Sequence, residues 1–179
     1  MAEIELTWKV LDSEYLSRKP WLTVRKDSVE LPNGGRIPEY FVLEYPDWIN
    51  VIAVTRQGKL VLVRQYRHAL GRTSLEIPAA VIEKSDASPM AAAKRELLEE
   101  TGYGGGRWRE AMVISPNSST CTNLVHSFVA TGVTLKGTPH LDAGECLETR
   151  LVAEARVFGL LQRGEFVQAL MAAPLWRYF

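Results

Sequence analysis

Short runs of alternating or clustered apolar positions dominate this chain, and they predict mostly strands. Trp21 to Leu31 alternates in part, Pro32-Asn33-Gly34-Gly35 is a turn signal, and Ile37 to Tyr45 returns as a strand. Asn50 to Thr55 and Lys59 to Tyr66 predict a hairpin around Gln57-Gly58, whose second strand emerges as a polar, basic end. Leu75 to Glu83 reads as a short strand leading into a loop. Arg107 to Ile114, Val125 to Val133 and Glu145 to Val152 complete the strands.

The pattern changes between Ser88 and Gly102. Ser88 suits an N-cap, Pro89 the first helical position, and Met90 to Glu100 is dense in strong helix formers. Gly102 suits the left-handed residue that ends a helix. Leu97 and Leu98 are expected to face a core. Ala153 to Gln162 and Phe166 to Met171 read as further helices, with Arg163-Gly164 between them. Mixed strands with few helices argue for an α/β sandwich. The expected division is an N-terminal β-strand region over 1–46 and a main domain over 47–179. Strands as short as the N-terminal ones are marginal alone, so they are expected to pack on something larger.

Composition narrows the function classes. The 179 residues carry 21 Lys+Arg and 21 Asp+Glu, a net charge of zero. No broad basic surface for nucleic acid is expected. The N-terminus lacks a basic-apolar-small signal pattern, and no apolar run approaches membrane-spanning length. Cys121 and Cys146 have neither metal-ligand spacing nor the look of a disulfide framework. A reduced cytoplasm is the expected location, with no membrane association.

The densest chemistry lies in Arg95-Glu96-Leu97-Leu98-Glu99-Glu100-Thr101-Gly102-Tyr103. Residues four apart on a helix are surface neighbours, so Glu96 and Glu100 face one way, and Arg95 and Glu99 form a second pair. Clustered carboxylates suit a hard divalent cation, and Mg²⁺ commonly shares such a site with substrate phosphates. Taken alone, a Glu- and Arg-rich helix is more often a solvated face laced with ion pairs. Its neighbours decide between the two.

This run resembles the Nudix box: a Gly, five residues, a Glu, seven residues, then Arg-Glu-aliphatic-x-Glu-Glu-x-Gly-aliphatic. Arg95 to Gly102 matches the second half, with Tyr103 in the final apolar position. The first half departs from the pattern. Ala80 stands where the loop glycine is expected, and Asp86 stands five residues on, where Glu is expected, eight residues before Arg95. Counted back from Arg95, Ala87 and Val81 take those places instead. Arg18 to Arg25, Leu31 to Gly35, Glu44 to Val51, Val63 to His68, Ser115-Pro116 and Ala172 to Trp176 are similar to the ADP-ribose pyrophosphatase branch.

The resemblance implies an αβα sandwich with the box helix against a mixed sheet, plus a small N-terminal β-subdomain. It implies a homodimer with the substrate site between subunits. It also implies Mg²⁺-dependent hydrolysis of a nucleoside diphosphate-linked small molecule, ADP-ribose first, to AMP and ribose 5-phosphate. Mn²⁺ is a possible substitute metal. Glu96 and Glu100 are the expected metal ligands, Glu99 a third ligand or water-orienting carboxylate, and the carbonyl of Ala79 or Ala80 completes the shell. Arg95 is expected to orient the acidic cluster. Arg67 matches the branch's phosphate-binding arginine, with Arg64 as the alternative, and Glu76 either binds metal indirectly or pairs with a base. Trp48 and Trp21 are candidate stacking platforms, although most tryptophans are core or interface anchors. Glu145 is the chosen general base, in Leu141-Asp142-Ala143-Gly144-Glu145-Cys146. Related sequences place a Glu where Ala143 stands; if that is the base, Asp142 or Glu99 must substitute. Two rival readings remain: hydrolysis of another sugar nucleotide or dinucleotide, and a nucleotide-binding module with weak or no turnover.

Overall fold

A computed structural model describes residues 5–179, which fall into two compact units. The first unit runs to Tyr45 and includes Ser115–Asn123. Its strands β1 (Lys9–Lys19), β2 (Leu22–Glu30) and β3 (Arg36–Glu44) form an antiparallel sheet in that order. The sequence pattern did not single out β1. Register shifts between Val10 and Asp12 and between Tyr15 and Ser17 explain this. Each bulge flips the face of every later side chain, so no period-two pattern survives. Pro20-Trp21 turns β1 into β2, with Trp21 at φ 63° and 69 % exposed. Buried Asp27 holds the sheet's polar layer, accepting from Ser13 Oγ at 2.7 Å and Arg25 Nε at 2.9 Å. Ser115–Asn123 joins this unit through Leu43, whose amide donates to Thr120 O at 2.7 Å.

The second unit holds β4 (Trp48–Thr55), β5 (Lys59–Arg67), β6 (Arg72–Glu76), β7 (Ala79–Val81), α1 (Pro89–Thr101), β8 (Tyr103–Gly104), β9 (Arg107–Ile114), β10 (Val125–Leu135), β11 (Leu147–Ala153), α2 (Glu154–Gln162) and α3 (Ala169–Tyr178). The sheet path is β11-β5-β4-β10-β8, with β6 on β5, β7 on β4 and β9 on β10. Only β4 and β10 pair in parallel; the other pairs are antiparallel. Helices cover both faces of the sheet, which is why β4 is almost wholly buried. Ile49, Val51 and Ala53 face Ala92, Ala93 and Leu97 of α1. Ile52 and Val54 face Val157, Leu161, Met171 and Leu175 of α2 and α3. This is an αβα sandwich with a mixed sheet.

Local signals place α1. Ser88 Oγ accepts from the Ala91 amide at 3.1 Å, Pro89 opens the helix, and Gly102 closes it at φ 73°. A Cβ at Gly102 would run into the Gly137 carbonyl oxygen. Four expectations need correction. Leu98 is exposed, because it sits on the side of α1 away from Ala93 and Leu97. Leu75 to Glu83 is two strands, separated by Ile77-Pro78, since β6 pairs with β5 and β7 with β4. The last helix starts later than Phe166 and continues beyond Met171, through Pro174 to Tyr178. Glu145, expected to open a strand, lies in the loop before β11.

Candidate active site

The acidic helix is organised by Arg95. Its Nε and Nη2 bond the two oxygens of Asp86 at 3.0 and 2.8 Å. Its Nη1 bonds Glu96 Oε1 at 2.6 Å and Glu99 Oε2 at 2.9 Å. A planar guanidinium can serve three carboxylates at once, where a lysine cannot match the bidentate bond. The Arg95 hydrogen bonds hold the Asp86 carboxyl below its usual range, and the same contacts, led by that to Asp86, push the Arg95 guanidinium up. Asp86 Oδ2 also accepts from the Glu83 amide at 2.9 Å, fixing the loop before α1. Asp86 thus supplies the partner that the altered half of the box left in question. The clue in the sequence was an acidic residue near the expected Glu; its pairing needed the folded loop.

Glu96 and Glu100 are both buried on the same side of α1. Burial raises the pKa of Glu96, against the pull of Arg95. Glu100 is pushed up to about 8, first by burial and then by the negative charges of Glu96 and Glu145. The Ala79 amide and the charge of Arg67 oppose that shift. Glu100 Oε2 is buried without a hydrogen-bond partner among the described residues. An orphaned carboxylate oxygen amid like charges fits a cation, and an all-oxygen donor set suits a hard one. No three His, Cys, Asp or Glu side chains among the described residues are already gathered closely enough to hold a metal ion. Glu96, Glu99, Glu100 and the Ala79 carbonyl are the groups that could hold it.

Arg67 lies at the end of β5 and bonds Glu76 through Nε at 3.0 Å and Nη2 at 2.5 Å. Glu76 is 1 % exposed and also receives Gln65 Nε2 at 3.2 Å and the Ser74 hydroxyl. Its oxygens therefore meet protein, and Glu76 underpins Arg67. The Glu76 hydrogen bonds raise the Arg67 pKa further.

Two clefts flank these groups. One, of about 450 Å³, brings together Arg67, Ala79, Glu100, Gly144, Glu145 and Cys146. The other, of about 350 Å³, is lined by Glu83, Arg95, Glu96, Glu99, Asp142 and Glu145. Glu145 belongs to both. Arg64 is elsewhere: its side chain is exposed, 3.9 Å from Glu148, and lines neither cleft. Trp48 opens β4 in register with Val81 and Val125, and also lines neither. Trp21 belongs to the first unit. The sequence reading missed Cys146 and Gly144 as wall residues; a polar loop with no periodicity carries no signal for either.

Residues 8–43 match the nucleoside diphosphate sugar hydrolase N-terminal domain, and residues 45–172 match the NUDIX domain. The chain is 33 % identical to an ADP-ribose pyrophosphatase of Bacillus subtilis (strain 168) over 147 residues, 82 % of this chain and 78 % of the relative. It is 29 % identical to an ADP-ribose pyrophosphatase of Mycobacterium tuberculosis (strain ATCC 25618 / H37Rv), covering 94 % of this chain and 82 % of the relative. A methanol dehydrogenase activator of Bacillus methanolicus is 33 % identical, over 72 % of this chain and 68 % of that protein. The fold resembles a crystal structure of an ADP compounds hydrolase, with TM-score 0.86 and 22 % identity, across 99 % of this chain and 95 % of that one. With the box helix, its arginine clamp and a domain match over most of its length, the chain belongs to the Nudix hydrolase superfamily, and its general activity is hydrolysis of nucleotide pyrophosphates.

Proposed function

We propose that this protein is a Mg²⁺-dependent hydrolase of ADP-ribose, releasing AMP and ribose 5-phosphate. One observation carries the reading: a braced guanidinium, Arg67, and a buried, partnerless carboxylate oxygen, on Glu100, line one cleft of about 450 Å³. Arginine grips diphosphate oxygens, and the clustered carboxylates would hold a divalent cation that offsets phosphate charge. Two relatives named as ADP-ribose pyrophosphatases support the choice of substrate.

When bound, Mg²⁺ neutralises phosphate charge and lowers the cost of forming hydroxide from water. Glu96, Glu99, Glu100 and the Ala79 carbonyl would hold it. Arg67 holds the diphosphate, and Arg95 keeps Glu96 and Glu99 aimed. Water attacks one phosphorus, the bridging P–O bond breaks, and the leaving phosphate takes the bond's electron pair. The water's proton goes to Glu145, whose Oε2 is engaged by the Asp142 amide at 3.0 Å, leaving Oε1 to accept it. The apolar side chains exposed on the first unit, Trp8, Leu11, Trp21 and Phe41 among them, support assembly as a homodimer.

Hydrolysis is favoured over a binding-only module because Asp86 restores the carboxylate–arginine brace despite the altered loop. The test is product analysis with Mg²⁺ and ADP-ribose beside a panel of other sugar nucleotides and dinucleotides. Release of AMP and ribose 5-phosphate, fastest from ADP-ribose, is expected. Faster turnover of another panel member overturns the substrate, and binding without turnover overturns the enzyme.

A further inference from the structure

The helix that carries the metal-seeking carboxylates also anchors the loop that faces them. The last carbonyls of an α-helix lack intrahelical partners and must find others. In α1, Leu98 O receives the Gly102 amide at 2.8 Å. The Tyr103 amide, next in line to continue the ladder to Glu99 O, donates instead to Thr101 Oγ1 at 3.1 Å. Glu99 O is left to the His140 amide, which donates to it at 2.8 Å. Beyond the helix, Gly102 O accepts from the Lys136 amide at 2.8 Å and the Gly137 amide at 3.3 Å. The segment between β10 and β11 is thus pinned to α1 by three main-chain amides.

Past the His140 pin the segment closes on itself. The Glu145 amide donates to Asp142 O at 2.9 Å, and the Glu145 carboxylate accepts from the Asp142 amide at 3.0 Å. The turn therefore sets the direction of the Glu145 side chain, and the pin sets where the turn sits against α1. The acceptor of that pin is the main chain of Glu99, between the helical positions of Glu96 and Glu100. Helix carboxylates and loop carboxylate share one hydrogen-bonded frame, and Gly102, with no room for a Cβ, lets Gly137 approach closely enough to complete it.

We propose that the His140 main-chain amide is a positioning group for Glu145, holding its carboxylate in place at the reacting diphosphate through the bond to Glu99 O. This rests on the reading of Glu145 as the proton acceptor. Misplacement of a reacting group by about 1 Å costs up to roughly 100-fold in rate, so the pin acts on turnover more than on binding.

Two measurements test it. Hydrogen exchange on the full chain, without substrate or metal, should show the His140 amide protected in wild type, with the segment pinned to the same degree in H140A, which keeps the N–H. An amide exchanging at the rate of an exposed loop overturns the pin, whether or not the protein is active. Steady-state kinetics then compare H140P, which lacks the N–H, with H140A. H140P should lose roughly 10- to 100-fold in kcat with KM nearly unchanged, and should lose nothing further in an E145Q background. Equal losses in the wild-type and E145Q backgrounds overturn the positioning role. Wild-type turnover in E145Q, with His140 still protected, removes Glu145 from the chemistry and the proposal with it. If H140P does not fold, exchange on wild type and H140A still tests the pin, and an unprotected His140 amide still overturns the proposal.

Discussion

Asn50 Nδ2 donates to the Leu170 carbonyl at 2.8 Å, from a position 120 residues away in the chain. Leu170 O is the acceptor that the amide of residue 174 would normally satisfy, but that residue is Pro174 and has no N–H. A buried strand side chain thus replaces the missing helical hydrogen bond. Asn50→Leu should destabilise the protein by about 1–3 kcal/mol, the cost of leaving a buried carbonyl unsatisfied. Pro174→Ala should lower that penalty, making the double variant less damaged than the sum of the two. Additive shifts in denaturant midpoint would mean that Asn50 does not compensate for the proline.

Glu100 carries a pH signature. Burial, with the charges of Glu96 and Glu145, pushes its carboxyl up to about 8 in the folded protein, against 4.5 for an unperturbed Glu. Below the unfolded value, both states are protonated and folding buries no charge at this site. As pH rises toward 8, the unfolded chain ionises while the folded one cannot do so freely, so metal-free stability falls across that window by an amount on the order of a few kcal/mol. Glu100→Gln should flatten this fall and raise the melting temperature of metal-free protein at pH 8, while abolishing Mg²⁺-dependent turnover. An unchanged pH profile of unfolding would show that Glu100 is not the group responsible.

Arg67 has two jobs that can be separated. Arg67→Ala should raise KM for diphosphate substrates much more than it changes the Mg²⁺ concentration for half-maximal activity. It also strips buried Glu76 of its cation, which should lower the denaturant midpoint. Adding Glu76→Gln should recover most of that stability and none of the KM. Recovery of KM by the second substitution would make Arg67 a scaffold for the cleft and not a substrate contact.

Asp86 links the altered loop to the acidic helix. Asp86→Ala frees Arg95 to swing between Glu96 and Glu99, and kcat should fall by roughly tenfold to 100-fold. Asp86→Glu should restore part of the loss. Full activity in Asp86→Ala would mean that the helix orients its own carboxylates without the loop.

The sequence by itself determined the elements whose causes are local. Ser88, Pro89 and Gly102 bound α1 through a cap, a fixed φ and a left-handed residue, and the turn at Gln57-Gly58 sets the β4–β5 hairpin. Glu96 and Glu100 share a face because helix geometry makes them share it. Only the tertiary structure decided the rest, since those features depend on groups distant in the chain. β1 emerged because pairing with β2 absorbs two bulges that erase its alternation. α3 passes Pro174 because Asn50, on a strand, satisfies the carbonyl left open. Asp86 became the partner of Arg95 through the folding of a loop, and Glu76 was buried under Arg67 by the pairing of β5 with β6. Spacing along the chain reports neighbours a turn or a strand step apart; burial and long-range hydrogen bonds set which of those side chains face the clefts.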